Sequence, residues 1–376
     1  MNKKEIMEIK KQFTAANCNI TRIAMCYVNH EKDIILSKTE AFFSLPEEEM
    51  FKYFDIFRKS LSGSKGKNLY DVDFPVVDGS SEQENFLNDL RKSKLDDDEI
   101  LEEFYEKIID SYDFGENYLI LLIHGLYDIP GKTSDDLMME DASEEVYEHI
   151  MCCICPVSLS KPGLSVNSEK GKVEDRIRDW VVEMPADAFL YPAFNDRSTD
   201  IHSMLYYSKK SPVLQQELVY ELTGKEDALL SNEEECELVA GVLKEGTNIT
   251  FDTIKSFSEE VMEILEEHEG NTEAVQVSPK QLAGMLEKAG LDAEESANVT
   301  NGCKTRFGEK KEIHLSSLVD KNKTTIHTEN ASIKIDASYI HDIETRRIDG
   351  RTYIMIPLNE NVVEVNGIPV AGIAYK

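Results

Sequence analysis

The residues best suited to chemistry lie in one short polar stretch, Asn195-Asp-Arg-Ser-Thr-Asp200, with His202 just beyond it. Carboxylate oxygens and an imidazole are the ligands that Mg²⁺, Mn²⁺ and iron accept. Asp196, Asp200 and His202 are therefore candidate metal ligands. The candidate catalytic residues are Asp196, His202 as a general base, and Arg197 as the group that binds an anionic substrate. Together they predict a metal-assisted hydrolase or phosphodiesterase.

Two more carboxylates, Asp175 and Asp179, precede this stretch and are four residues apart. On a helix or on a strand they point to the same side. Like charges so placed repel each other unless a cation lies between them. Both residues are therefore candidate metal ligands, although Arg176 or Arg178 can supply the cation instead. No cofactor other than such a divalent metal is indicated.

The same residues also have a structural interpretation. Asn, Asp, Ser and Thr close turns by bonding to their own backbone. Asp196–Arg197 and Glu174–Arg178 are expected to form ordinary ion pairs, and His202 is expected to be a buried imidazole in a strand. The sequence has none of the common zinc-protease, nucleophile-elbow, dinucleotide or Walker motifs. We favour the structural turn and keep the metal site as the alternative.

The elements that must position this turn are strands. Apolar runs around Val181–Tyr191 and Ile201–Ser208 predict buried strands on either side of it, so the turn lies at one end of a sheet. Tyr118–Tyr127 is a continuous apolar run and predicts a strand that is buried on both faces. Asp128–Lys132 is then expected to turn the chain away, and Ser143–Ile150 to form a short helix.

The cysteines and one histidine favour core positions over a metal site. In the predicted strand from Cys152, the side chains of Cys153 and Cys155 share one face and Cys152 points to the other, so this segment aims at most two thiols at one metal. Free cysteine is among the most buried residue types. His124 is expected to be a core histidine bonded to a backbone carbonyl.

The charge of the chain is concentrated in two segments. The formal net charge is −31 over 376 residues, and residues 81–150 and 211–303 each contribute −16. Such acidity is typical of solvated helix faces and makes nucleic acid an unlikely partner, because phosphate binding needs clustered Lys and Arg. No membrane segment or secretory signal is found. The odd cysteine count fits reduced thiols, so we expect a cytoplasmic protein.

The length and the changes in composition predict an α+β protein of three parts. Residues 1–225 are expected to form a body with a mixed sheet and helices, residues 226–303 an acidic helical segment that ends in turns, and residues 304–376 a small β domain. In the last part, Arg347–Tyr353 predicts a hairpin around its Asp-Gly pair, and Val362–Val370 predicts one or two strands around Asn366-Gly367.

Several blocks of the sequence resemble an uncharacterised bacterial family that is labelled only as a domain of unknown function. The match spans nearly the whole chain. The resemblance implies a bacterial cytosolic protein and assigns no catalytic or binding residue. The matching blocks are Met1-Asn-Lys-Lys-Glu-Ile, Leu45-Pro-Glu-Glu-Glu-Met-Phe-Lys-Tyr-Phe, Asn117-Tyr-Leu-Ile-Leu-Leu-Ile-His, Arg178-Asp-Trp-Val-Val-Glu-Met-Pro, Phe194-Asn-Asp-Arg-Ser-Thr-Asp-Ile-His and Ile348-Asp-Gly-Arg.

Two functions remain in view. The modular build, the local acidity and the lack of a catalytic motif predict a non-enzymatic protein that binds or regulates another macromolecule, with a protein as its partner. The alternative is the hydrolase that uses Asp196, Asp200 and His202.

Overall fold

The chain forms two compact units, Met1–Ser231 and Asn232–Lys376. The computed structural model describes residues 1–75, 80–132, 138–168, 171–209, 214–226, 229–268, 275–307, 312–357, 362–365 and 368–371. The α+β class predicted from the sequence is confirmed. The finer division at residues 225/226 and 303/304 stays a prediction.

The first unit contains the elements from α1 to α5. Its helices are α1 (Lys3–Lys10), α2 (Glu47–Ser60), α3 (Glu82–Lys92), α4 (Asp98–Ser111) and α5 (Gln216–Thr223). Its strands are β1 (Ile20–Val28), β2 (Ile34–Ala41), β3 (Leu69–Asp73), β4 (Tyr118–Lys132), β5 (Met138–Leu159), β6 (Leu164–Asn167), β7 (Lys172–Asp175), β8 (Trp180–Val182), β9 (Asp187–Tyr191), β10 (Ala193–Asn195), β11 (Ser198–Asp200) and β12 (Ser203–Ser208).

One eight-stranded sheet organises this unit, in the order β2-β1-β4-β5-β9-β12-β3, with β8 paired to one end of β5. A mixed sheet was predicted, whereas every strand pair described in this sheet is antiparallel. The two predicted strands beside the polar turn are β9 and β12. They are neighbours in the sheet, and the β10–β11 hairpin connects them.

The central strand β4 is buried on both faces along its apolar run, as predicted. Ile120 and Leu122 belong to one hydrophobic core, and Leu121 and Ile123 belong to a second core on the opposite face. Helices α3, α4 and α5 contribute to the first core and α1 and α2 to the second. The sheet is therefore covered by helices on both sides, which is why its central strands carry so few polar side chains.

Two local predictions near the end of β4 are wrong. Asp128–Lys132 does not turn the chain away, because it continues β4. Ser143–Ile150 is not a helix, because it belongs to β5 and pairs residue by residue with β4, for example Val146 with Asp128. The acidic residues of this segment are typical of a helix start, and pairing with the long neighbouring strand overrides that local preference.

The cysteines of β5 pack in the core with the alternation that the sequence predicted. Cys152 belongs to the first core, whereas Cys153 and Cys155 belong to the second. Burial raises the pKa of the Cys153 thiol to about 12. The Ser60 hydroxyl lies 3.1 Å from the Cys153 sulfur. These thiols are protonated packing groups at neutral pH.

The second unit contains helices and short hairpins. Its elements are α6 (Asn232–Gly246), α7 (Phe251–Glu267), β13 (Gln276–Val277), α8 (Pro279–Lys288), α9 (Ala293–Phe307), β14 (Ile313–His314), α10 (Leu315–Leu318), β15 (Lys323–His327), β16 (Ser332–Asp336), β17 (Glu344–Ile348), β18 (Arg351–Met355), β19 (Val362–Val365) and β20 (Ile368–Ala371). A turn-rich boundary was predicted at Asn298–Gly308, but residues 298–307 are helical because they belong to α9.

The hairpin predicted around the Asp-Gly pair of the second unit is confirmed as β17–β18. Asp349 and Gly350 both have positive φ, 49° and 78°, as a type I′ turn requires. The one or two strands predicted around Asn366-Gly367 are β19 and β20, and this pair itself lies outside the described residues. Across the described part of the chain, no helix combines the length and the apolar character needed to cross a membrane.

His149 is a buried polar side chain on the face of β5 that Tyr147 and Met151 present to the second core. It is 2% exposed and stacks on Tyr147, with ring centroids 4.8 Å apart. A Cβ at Gly125 on the adjacent strand would come within 2.8 Å of the His149 Nε2 atom, so the ring needs glycine there. Neither ring nitrogen has a hydrogen-bond partner among the described residues. Burial lowers the pKa of His149 from 6.5 to about 3.

This pKa predicts that His149 makes the fold sensitive to acid. Above pH 6.5 the imidazole of His149 is neutral in both the folded and the unfolded chain. Between pH 6.5 and 3 only the unfolded chain binds a proton there, so the free energy of unfolding decreases as the pH is lowered. Between about pH 7 and pH 5, we expect the free energy of unfolding to fall by about 2 kcal/mol less in His149→Phe than in the wild type, as measured by denaturant unfolding at each pH. The control is His327→Phe, at an exposed position of β15, and an equal change in both variants would count against the assignment to His149. An equal pH dependence in His149→Phe and the wild type contradicts the prediction.

Candidate functional site

The polar stretch that contains the candidate residues forms a tight hairpin turn. Asn195 pairs with Ser198 across β10 and β11, so Asp196 and Arg197 are the two residues of the turn. Their φ angles are 51° and 56°, which is the left-handed conformation of a type I′ turn. This turn prefers Asn-Gly. Aspartate tolerates the left-handed conformation, but the Cβ of Arg197 costs about 1–2 kcal/mol there. The turn is therefore strained and needs support from elsewhere.

Arg197 supplies that support through a distant partner. Its guanidinium donates from Nη2 (3.0 Å) and Nε (3.3 Å) to Glu8 Oε1 in α1, and from Nη2 to the carbonyl of Pro130 in β4 at 3.3 Å. Tyr127 also donates to Glu8 Oε1, at 2.8 Å. Burial works against the charge, but the interactions with Glu8 outweigh it, and the pKa of Arg197 is raised. The predicted pair with Asp196 is replaced by this contact with Glu8.

Asp200 is used within the hairpin. Its Oδ2 accepts a hydrogen bond from the Asn195 side-chain amide at 2.7 Å, and its Oδ1 accepts one from the His202 backbone N–H at 3.1 Å. Asp196 is exposed at the tip of the turn. The structure thus brings Asp200 and the backbone of His202 together.

His202 is exposed, so the prediction of a buried imidazole is wrong. It lies in the turn before β12 rather than within a buried strand, and its side chain is 60% exposed. Its Nδ1 lies 3.1 Å from Oε2 of Glu84, a buried carboxylate in the first turn of α3. A carboxylate behind an exposed imidazole is also how many proteins orient a metal-binding histidine.

The other two candidate ligands, Asp175 and Asp179, lie on a different part of the unit. Asp175 is the last residue of β7, and Asp179 precedes β8, where its backbone exchanges hydrogen bonds with Ser160 at 2.8 and 3.1 Å. Arg178 donates to the Ser160 carbonyl at 2.7 Å, where a pair with Glu174 was expected. Among the described residues, no hydrogen bond or ion pair joins these aspartates to the β10–β11 hairpin, and no three His, Cys, Asp or Glu side chains are grouped to hold a metal.

His124 is buried, as predicted, but its ring nitrogens contact two side chains, so the predicted bond to a backbone carbonyl is wrong. This imidazole is fully buried, with Nδ1 2.7 Å from the Thr21 hydroxyl and Nε2 3.0 Å from the Glu148 carboxylate. A hydroxyl, an imidazole and a carboxylate in this order also occur in nucleophilic catalysis. Here the three residues lie on adjacent strands β1, β4 and β5 and satisfy one another inside the sheet. Burial lowers the pKa of His124, although Glu148 opposes the shift.

The most unusual surface of the first unit is apolar and was also missed. We call residues 164–184, which contain β6, β7 and β8, the apolar arm. The only tryptophan of the chain, Trp180, lies in this arm and is 57% exposed. The alternation of apolar and polar residues in β6 and β7 predicts strands with one buried face, whereas the apolar side chains of both strands are exposed. The exposed apolar residues of the arm are Leu164, Val166, Val173, Ile177, Trp180, Val181, Val182 and Met184.

These features define a two-unit α+β protein built on an antiparallel sheet. The chain matches, over residues 1–368, the family described as Domain of unknown function (DUF4317), and it belongs to that family. The resemblance found in the sequence is thereby confirmed. A comparison with curated proteins finds no match.

The strained turn leads to a prediction about two variants of Arg197. Arg197→Ala removes the bonds to Glu8 and keeps a Cβ in the left-handed conformation, so we expect the free energy of unfolding to fall by about 1–3 kcal/mol. Arg197→Gly removes the same bonds and relieves the backbone, so we expect it to be more stable than Arg197→Ala by about 1 kcal/mol. Urea unfolding of both variants measures the difference. Equal stabilities contradict the assignment of strain to this turn.

Proposed function

We propose that this chain is a non-enzymatic cytosolic protein that binds another macromolecule, and that a protein partner docks on the apolar arm. The observation that carries the proposal is the exposure of Trp180 together with its apolar neighbours. Folded monomers rarely leave large contiguous apolar patches in water, and such patches mark interaction sites. Tryptophan is also among the residues that contribute most to binding when an interface covers them.

Strand β8 supports the proposal because both of its faces are exposed. Trp180, Val181 and Val182 follow one another, and successive side chains of a strand point to opposite faces. All three are more than 40% exposed. Among the described strands, β8 pairs only with β5, so its other edge is open. An extended segment of a partner can add to such an edge and cover the side chains at the same time.

The charge of the arm is consistent with a protein partner. Residues 164–184 contain four basic and five acidic side chains, so the arm has a net charge of −1 in a chain of −31. Binding to a phosphate backbone requires an excess of Lys and Arg, which this surface lacks. Apolar contact surrounded by balanced charge is typical of protein–protein interfaces.

The arm predicts a binding defect that can be separated from misfolding. Val166 and Val173 are directly opposite each other in the β6–β7 hairpin and are exposed. We expect Val166→Lys/Val173→Lys to abolish capture of a stoichiometric partner from native lysate while leaving the circular dichroism spectrum and Tm unchanged. Trp180 emission of the wild type should shift to shorter wavelength when the captured protein is added back, because burial removes water from the indole.

The matched control for this experiment is Ile348→Lys/Tyr353→Lys, which places two lysines on exposed apolar positions of β17 and β18 in the second unit. We expect this control to capture the same partner as the wild type. Capture that survives the arm variant, or that the control variant also loses, counts against docking on the arm.

The metal-assisted hydrolase remains a second proposal for the hairpin turn. The observation in its favour is the exposed His202 imidazole with the Glu84 carboxylate behind it. If a metal binds there, Mg²⁺ or Mn²⁺ should raise the Tm of the wild type, and Asp196→Ala/Asp200→Ala should remove that increase. A wild-type Tm that no divalent ion changes excludes this proposal.

A further inference from the structure

Strand β2 forms one edge of the large sheet, and six of its eight residues are exposed. It pairs with β1 along one side and with no other strand in the described part of the chain. On the open side, half of its backbone N–H and C=O groups lack a strand partner. Natural proteins usually shorten, bend or cover such an edge, because it can pair with another chain. Here the strand is eight residues long.

The side chains of this edge are also unusually apolar for a surface. Ile34, Ile35 and Leu36 begin the strand, and Ile35 is 58% exposed. Phe43, which lies just beyond the other end of β2, is 60% exposed. An exposed, long, hydrophobic edge favours association with another strand. A strand that covers both apolar ends of β2 must therefore have apolar side chains at both of its own ends.

The charges in the middle of β2 indicate which occupant fits. Lys38 and Glu40 lie on one face of the strand and form an ion pair of 2.8 Å. If a second β2 pairs antiparallel about a two-fold axis at Thr39, each Lys38 lies opposite Glu40 of the second copy, and each Glu40 opposite its Lys38. Opposite charges directly across an antiparallel pair stabilise it, and like charges destabilise it.

We propose that the chain forms a homodimer in which β2 pairs with β2 of a second copy, about a two-fold axis at Thr39. The same register pairs residues 37–41 of the two strands, and it brings Ile35 of one copy beside Phe43 of the other, in the 3-10 turn Phe42–Ser44 that follows β2. Two eight-stranded sheets become one continuous antiparallel sheet. The interface is isologous and closes on itself, because a two-fold axis uses the same strand from each copy. This dimer is independent of docking on the apolar arm.

Charge reversal tests the dimer with the full chain in sedimentation velocity experiments. In Lys38→Glu every charge at the centre becomes negative, and in Glu40→Lys every charge becomes positive. We expect each single variant to dimerise roughly tenfold more weakly than the wild type or worse, since attractive contacts become repulsive ones on both sides of the axis. The double variant Lys38→Glu/Glu40→Lys again places opposite charges across the axis and should dimerise like the wild type.

A mixture of the two single variants provides the sharpest test. Lys38→Glu and Glu40→Lys complement each other, so an equimolar mixture should form heterodimers at concentrations where each variant alone is mostly monomeric. A purely local effect of the lost ion pair within β2 cannot produce this recovery. The matched control is Glu344→Lys, which breaks the equivalent exposed ion pair of Glu344 with Arg346 in β17 and should leave the dimer intact.

Three results would overturn the proposal. The first is a wild type that is monomeric at every concentration. The second is a dimer that neither single variant weakens, because its interface must then lie elsewhere. The third is a mixture of Lys38→Glu and Glu40→Lys that stays monomeric while both proteins keep the wild-type circular dichroism spectrum.

Discussion

Burial of the central strands on both faces is the constraint on which the first unit depends. Leu121 and Leu122 are neighbours in sequence, yet they belong to different cores, so neither side of the sheet can face water. Five helices must therefore be divided between the two sides, and long-range pairing must hold strands of very different length together. A polar side chain on these strands must find its partner within the sheet. His124 does so through Thr21 and Glu148, whereas the ring nitrogens of His149 have no hydrogen-bond partner among the described residues and burial keeps the ring neutral.

The sequence predicts those parts of the fold that depend on local pattern. The apolar run of β4, the opposite faces of Cys152 and Cys153 and the Asp-Gly hairpin of β17–β18 all follow from side-chain alternation or turn chemistry. Residues 143–150 could not be predicted in this way. Their acidic residues favour a helix, and the strand forms because β4 is long enough to pair with them. The structure of residues 143–150 is therefore determined by pairing with β4 rather than by their own sequence.

The candidate site illustrates the same limit at the level of single side chains. The turn around Asp196 was placed correctly between two strands, but the partner of Arg197 is Glu8, which is 189 residues away in the sequence. His202 was expected in a buried strand, and it lies one residue before the strand begins. For the arm, alternation in β6 and β7 indicates one covered face. Whether another element covers that face is a property of the whole unit, which local spacing does not contain.

The buried cysteines have a practical consequence. Six of the seven thiols are buried, and Cys236 is the one that is partly accessible. Since only a deprotonated and accessible thiol reacts readily, a sulfhydryl dye labels the native chain slowly and the opened chain fully. Five cysteines belong to the first unit and two to the second. The mass added by the dye therefore identifies which unit has opened, so the two units can be followed separately in one denaturation experiment without any engineered reporter.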